Sequence, residues 1–166
     1  AQDWPTRSIT MVVPYAAGGP VDTLGRIMAA RLSELLGQQI VIENIGGAGG
    51  MTGAARVANA TPDGYTVLLS GSATLAQVQI LYKKPLYNSS TDFAHVTLFS
   101  DSARVLITRK DLPPNNLTEF VAYAKANQVK MQYGSAGGGS GTHVCAILLD
   151  VAMGTKITHV PYRGAS

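Results

Sequence analysis

The sequence is poor in cysteine, in charge and in long apolar runs, and each shortage excludes something. Cys145 is the one cysteine among 166 residues, so no disulfide can form within the chain. Its place among Val144, Ile147, Leu148 and Leu149 predicts a buried, unreactive thiol. Cysteine usage therefore does not decide the compartment. Charged residues make up only 14% against 46% apolar, the balance of a globular chain and not of a disordered one. No apolar run approaches the length needed to cross a bilayer. The thirteen lysines and arginines give a net charge of +3 and are scattered, adjacent only at Lys83-Lys84 and Arg109-Lys110. Few aromatics lie between them. That pattern argues against a nucleic-acid face and fits mild attraction of small anions.

Enzyme signatures are missing as well. No Gly-Lys-Ser/Thr follows a glycine-rich loop, no loop has the G-x-G-x-x-G spacing, and no G-x-S-x-G elbow is present. His143, Cys145 and His159 do not have the spacing of zinc ligands, so neither metal nor cofactor is expected.

What the chain has in quantity is glycine, 18 residues of it. Two stretches share one pattern: a short apolar strand, a glycine-rich turn, then an amphipathic helix. The first runs from Ile9 through Tyr15-Ala-Ala-Gly-Gly-Pro-Val-Asp22. The second runs from Met131 through Ser135-Ala-Gly-Gly-Gly-Ser-Gly-Thr142. Each turn leaves backbone N–H groups at the positive end of a helix, where they can receive an anion without a charged side chain.

Between and after these stretches strands alternate with helices. Strands are predicted at Ile9–Val13, Gln39–Glu43, Tyr65–Leu69, His95–Phe99, Val105–Thr108, Met131–Tyr133 and Ile157–Val160. The first helix puts Leu24, Ile27, Met28, Leu32 and Leu35 on one face and stops at Gly37. A short alanine-rich helix ends near Ala60, and Gln77–Asn88 has no clear period. The helix Leu117–Asn127 opens on Asn116 and Glu119, a capping pair. Another helix ends at Gly154. This alternation predicts an α/β fold of mainly parallel sheet flanked by helices, with ligands beyond the carboxyl ends of the strands. The crossing between two lobes is placed near Asp101, giving a first α/β lobe over 1–101 and a partial second lobe over 102–166. The start, Ala1-Gln-Asp-Trp-Pro, is similar to a mature end left by signal-peptide cleavage.

The candidate binding residues are Tyr15, Ala17, Gly18, Gly19 and Asp22 on the first rim, and Ser70 and Ser72 after the third strand. Ser135, Ala136, Ser140 and Thr142 stand on the second rim, with Arg163 at a strand end. Hydroxyls and backbone donors converging there suit a carboxylate. Asp22 either caps the first helix or meets a ligand ammonium group or water, capping with some contact to the ligand network being favoured. Arg163 either forks onto a carboxylate or is a surface arginine. His143 either faces the cleft or is structural. Loop 46–53 serves either flexibility and close packing or the ligand.

Taken together, the order and spacing of these residues resemble the solute receptors of tripartite tricarboxylate transporters, the Bug or TctC family. The marks are Trp4-Pro5, Val13-Pro14-Tyr15-Ala-Ala-Gly18-Gly19-Pro-Val-Asp22, Val41-Ile-Glu-Asn44-Ile-Gly-Gly-Ala-Gly-Gly, Pro62-Asp63-Gly64-Tyr65-Thr66, Gly141-Thr142 and His159-Val-Pro-Tyr-Arg-Gly164. The resemblance spans the whole chain, which covers a little more than half of a typical member. It implies a type II periplasmic binding protein, not an enzyme, whose two lobes close on a small carboxylate and present it to membrane permease subunits. It further implies that Tyr15 to Gly19 and Ser135 to Thr142 grip the proximal carboxylate, partly through ordered waters, with Ser70 and Ser72 beside them. The second lobe is then incomplete, which favours a homodimer or a strand-swapped pair. Two other readings stay open: an assembly form without closed-cleft binding, and a small-acid enzyme using the same cradle with Asp22 and His143 as its acid or base.

Overall fold

The fold follows from one central strand that is buried on both faces. The computed structural model describes residues 3–101, 103–162 and 164. Strand β1 (Ile9–Val13) is almost wholly apolar and buried, as a parallel strand covered on both sides must be. It pairs in parallel with β2 (Ile40–Asn44), Ile9 opposite Ile40 and Val13 opposite Asn44. On its other edge it pairs in parallel with β3 (Thr66–Leu68), Thr10 opposite Thr66. The sheet order is β2-β1-β3.

Side-chain alternation sorts the two faces. Met11, Val13 and Leu69 meet Val21, Met28 and Leu32 of helix α1 (Pro20–Leu36). Gly25 lets α1 approach closely, since a Cβ there would lie 2.9 Å from the Leu69 side chain. On the far side, Met51 and Ala54 of α2 (Met51–Ala58) pack with Leu68, Val78 and Tyr87. Each fully buried aliphatic side chain of this kind contributes roughly 1.5–3 kcal/mol. The expected apolar face of α1 is corrected in part: Ile27 and Leu35 are exposed, and the seam follows Val21, Gly25, Met28, Ala29 and Leu32. That sequence of i, i+4, i+7 steps is a narrower stripe than the apolar residues alone suggest.

After β3 the chain forms a π-helical turn (Ala73–Gln77) running into α3 (Val78–Leu81), which lies within the stretch without a clear period. The second sheet is parallel and two-stranded, β4 (Gln132–Ser135) beside β5 (Thr158–Pro161). Helices α4 (Leu117–Asn127) and α5 (Gly141–Met153) supply its core through Phe120, Ala124, Leu149 and Met153. The capping pair is as the spacing predicts: Asn116 Oδ1 accepts from the Glu119 amide at 3.0 Å, and Asn116 Nδ2 donates to Glu119 Oε1 at 2.7 Å. Asp150 fixes the turn after α5 by accepting from the Thr155 hydroxyl (2.7 Å) and the Ile157 amide (3.0 Å).

Two further expectations are corrected. Residues 95–99 and 105–108 form no strand among the described residues; Val96 is 91% and Ile107 84% exposed. A strand needs a partner for its N–H and C=O groups. Cys145 is exposed and not buried, because α5 turns that face, with Leu148 and Val151, away from Phe120 and Met131.

Candidate functional site

The loops that leave β1, β3 and β4 gather at one end of the structure, and each is held by a different device. Loop 14–19 is tied down by a carboxylate. Asp22, 2% exposed, accepts from the Gly18 amide (2.8 Å) and from Arg26 Nε (2.9 Å) through Oδ2, and from Asn44 Nδ2 (2.9 Å) through Oδ1. Asn44 Nδ2 also donates to the Tyr15 carbonyl at 3.2 Å. The Arg26 guanidinium foremost, then the Gly18 amide, hold the Asp22 carboxyl down at about 2 against the opposing effect of burial. A carboxylate fixed in its ionised form by three donors ties the loop to α1 and β2. At the head of α1, Pro20 has no N–H to leave unpaired, and Gly19 is the N-cap without a side-chain bond. Among the described residues no acceptor bonds the amides of Ala17, Gly19 and Val21.

Tyr15 is spent on structure. The single Thr74 hydroxyl proton goes to the Gly49 carbonyl (3.0 Å), so Tyr15 must donate in its 2.7 Å bond to Thr74. Thr74 is itself fully buried. Ser70 and Ser72 flank Gly71, which lies under the Tyr15 hydroxyl; Ser70 is half-buried and bonds the Gly71 carbonyl, and Ser72 is exposed.

Loop 46–53 serves packing. Gly49, at φ 67°, backs onto the second glycine loop so closely that a Cβ would sit 2.7 Å from the Gly138 carbonyl oxygen. At Gly50, φ 95°, a Cβ would collide with Thr74 Oγ1. These contacts join the loops: Tyr15 to Thr74, Thr74 to Gly49, Gly49 to Gly138. Tyr82 adds a 3.1 Å bond to the same Gly138 carbonyl. Ala16 and Gly137 approach Gly164 and Tyr162 respectively, which stand between the first and second loops.

Loop 135–142 departs most from expectation. Its amides are largely bonded within the chain: Ala136 N–H to Thr142 Oγ1 (3.0 Å), Gly137 N–H to Ser135 Oγ (3.1 Å), Gly139 N–H to His143 Nδ1 (3.1 Å) and Ser140 N–H to the Gly137 carbonyl (3.1 Å). Ser140 caps α5 by accepting from the His143 amide. Among the described residues only the Gly138, Gly141 and Thr142 amides of this loop lack an acceptor. The cradle is thus open at the head of α1 and mostly self-filled at the head of α5. Arg163 lies outside the described residues.

Four side chains, Arg26, Asn44, Tyr133 and His159, stand at the site without being among its candidate binding residues. Arg26 and Asn44 orient Asp22; the i, i+4 spacing of Asp22 and Arg26 was the available signal. The His143 and His159 rings stack at 4.0 Å, with Tyr133 on the other side of His159 at 5.1 Å. Burial, then the neighbouring His143, keep the His159 imidazole below its usual range. The described residues hold no cluster of three or more His, Cys, Asp or Glu able to take a metal ion. A shallow recess between α1 and β2, lined by Ala29, Ser33 and Ile40, carries no such convergence of donors.

Comparison with known proteins fits this arrangement. Residues 24–166 match the TctC family, described as the tripartite tricarboxylate transporter family receptor. A UPF0065 protein in the TAR-I ttuE-ttuC' intergenic region of Agrobacterium vitis is 46% identical over 99% of this chain and 47% of its own length. The periplasmic binding protein BugD is 40% identical with a TM-score of 0.88, covering 97% of this chain and 54% of that one. MatC of Rhodopseudomonas palustris, solved with bound malate, is 38% identical with a TM-score of 0.92, covering 97% of this chain and 55% of that one. The chain spans about half the length of the curated relatives it matches.

Proposed function

Because the chain belongs to the tripartite tricarboxylate transporter receptor (TctC) family, a family of binding proteins and not of enzymes, we propose that it captures a small carboxylate in the periplasm for a membrane transporter. The observation that carries this reading is the likeness to MatC, whose structure holds malate on a fold shared over 97% of this chain. The free amides at the head of α1 support it. They offer donors to one carboxylate oxygen pair at the positive end of a 17-residue helix, with Asp22 already neutralised by its own three donors.

In this reading Ala17 and Gly19 receive the carboxylate on one side, with Gly18 shaping that loop through its bond to Asp22. Ser135, Ala136, Ser140 and Thr142 receive it on the other, after their present bonds are exchanged, with Ser70 and Ser72 at the rim. Tyr15 and Asp22 support the first loop from behind. Two lobes divide near Asp101, and closure about that crossing traps the ligand. Permease subunits then read the closed form. Thermal shift with malate and adipate tests the reading, because a ligand that binds only the folded state raises apparent stability by mass action. A rise in melting temperature that saturates with concentration is the expected result; no shift with either acid overturns it.

A second reading rests on the exposed apolar run that includes Val96, Leu98, Val105 and Ile107. Such a run favours pairing between copies. Light scattering separates the two: a monomer that binds malate leaves no place for an assembly role.

A further inference from the structure

The second glycine loop is locked by side chains that occupy its amides, and one of those side chains is the imidazole of His143. The Gly139 N–H points at His143 Nδ1, 3.1 Å away. A backbone amide can only donate, so Nδ1 must carry a lone pair and His143 must be neutral, with its proton on Nε2. His159, whose ring stacks on His143 at 4.0 Å, has its own Nε2 2.6 Å from Ser135 Oγ, the acceptor for the Gly137 amide. Both imidazoles therefore hold the same loop, one directly and one through Ser135.

We propose that His143 is a latch on this loop: neutral, it holds the Gly139 amide, and on taking up a proton it releases that amide to a carboxylate. The inference rests on the reading of loop 135–142 as one half of a carboxylate site. His143 is a positioning residue in it, acting through Gly139. Protonation turns Nδ1 from acceptor to donor, so the Gly139 bond breaks and two N–H groups face each other. The same proton places a cation on the ring stacked against His159, which holds that second imidazole in its neutral form. The loop loosens, and the released amide turns to the cleft.

The groups around the pair leave an imidazolium at His143 short of negative charge. Tyr133 of β4 stacks on His159, and Asp150 of α5 is close enough to act on Tyr133 but is engaged with Thr155 and Ile157. Tyr82 after α3 packs against Gly139. The Arg104 guanidinium lies against Gly141, at the positive end of α5. An imidazolium among an arginine, a helix N-terminus and a second histidine is stabilised by an incoming anion. Carboxylate binding and proton uptake at His143 are then linked, each favouring the other.

Amide and imidazole titrations by NMR on the 166-residue chain test the latch directly. The Gly139 amide proton should move upfield along the same curve, and with the same midpoint, as the His143 ring protons. In His143→Phe, which keeps a stacked ring but no Nδ1, that amide should sit at the released position at every pH. A Gly139 amide that stays put while His143 titrates overturns the proposal. Malate titrations between pH 8 and 6 carry the second arm: with one proton taken up per malate, affinity rises by up to about tenfold per pH unit as pH falls toward the free chain's midpoint, and levels off below it. The rise should vanish in His143→Phe. A flat profile in the native chain overturns the linkage. If the Gly139 amide moves as described but neither malate nor adipate binds at any pH, the latch stands and the carboxylate-capture reading falls.

Discussion

Tyr15 donates its hydroxyl proton to Thr74, 2.7 Å away, and Thr74 passes its own on to the Gly49 carbonyl. Three loops are joined by this relay, and the aromatic residue beside the glycines of the first loop is thereby a strut. Tyr15→Phe should lower stability by about 1 kcal/mol, the worth of one hydrogen bond, while leaving malate affinity within about threefold. Urea melts and thermal shift measure the two effects separately. A large loss of affinity with unchanged stability would instead make the hydroxyl a ligand contact.

Asp22 ties stability to pH. Its carboxyl is held at about 2 in the folded chain against a reference of 3.8. Between those values the unfolded state binds more protons, so the stabilisation is fully present above about pH 4 and is lost as pH falls through 2. Asp22→Asn removes an acceptor for Gly18 and Arg26 together and should destabilise by roughly 1–3 kcal/mol at pH 7. The difference between native and variant melting temperatures should then shrink on acidification. A gap that is constant from pH 7 to pH 2.5 would contradict the assignment.

Gly49 and Gly138 face each other yet should respond differently to a side chain. Gly49→Ala places a Cβ against the Gly138 carbonyl at a positive φ, and should cost about 1–3 kcal/mol of stability. Gly138 has open space around its Cβ position. Gly138→Val should leave stability within about 0.5 kcal/mol, because its Cβ meets nothing, and lower malate affinity more than tenfold by screening the loop amides. Equal stability losses at both positions would mean that the open space at Gly138 is filled by the rest of the fold.

Asn116→Ala should destabilise by about 1 kcal/mol, since it removes both halves of the reciprocal bonding with Glu119. Asn116→Ser, which keeps an oxygen for the Glu119 amide without setting a second carboxylate against Glu119, should restore part of the loss. Chemical denaturation of the three proteins makes the comparison.

Local rules made much of this fold legible. The αL glycine that stops α1 and the spacing of Asn116 to Glu119 locate helix ends from neighbours in sequence alone. The apolar run at β1 announces a central parallel strand in the same way. Where the reading failed, the deciding partner was distant. Val96 and Ile107 have strand-like side chains, but pairing depends on what lies alongside, and the described residues put nothing there. Cys145 sits in an apolar pattern, yet only the packing of α5 against α4 decides which face is covered. At the site, the glycine loops were readable as helix heads, whereas the filling of loop 135–142 by Thr142, Ser135 and His143 was not. Those side chains are close in sequence to the amides they bind. Nothing in their identity tells whether they turn inward or out.

The clasp of Asp22, Arg26 and Asn44 has a kinetic consequence. A loop already rigid at the head of α1 asks for no reordering when a small acid arrives, so encounter there is governed by diffusion and by the field of the helix. The opposite loop must first give up its internal partners, and only the fraction of molecules that has done so is competent to complete the grip. If the chain captures a carboxylate as proposed, capture on this architecture is a two-stroke event, with arrival on the stiff side and commitment on the yielding one.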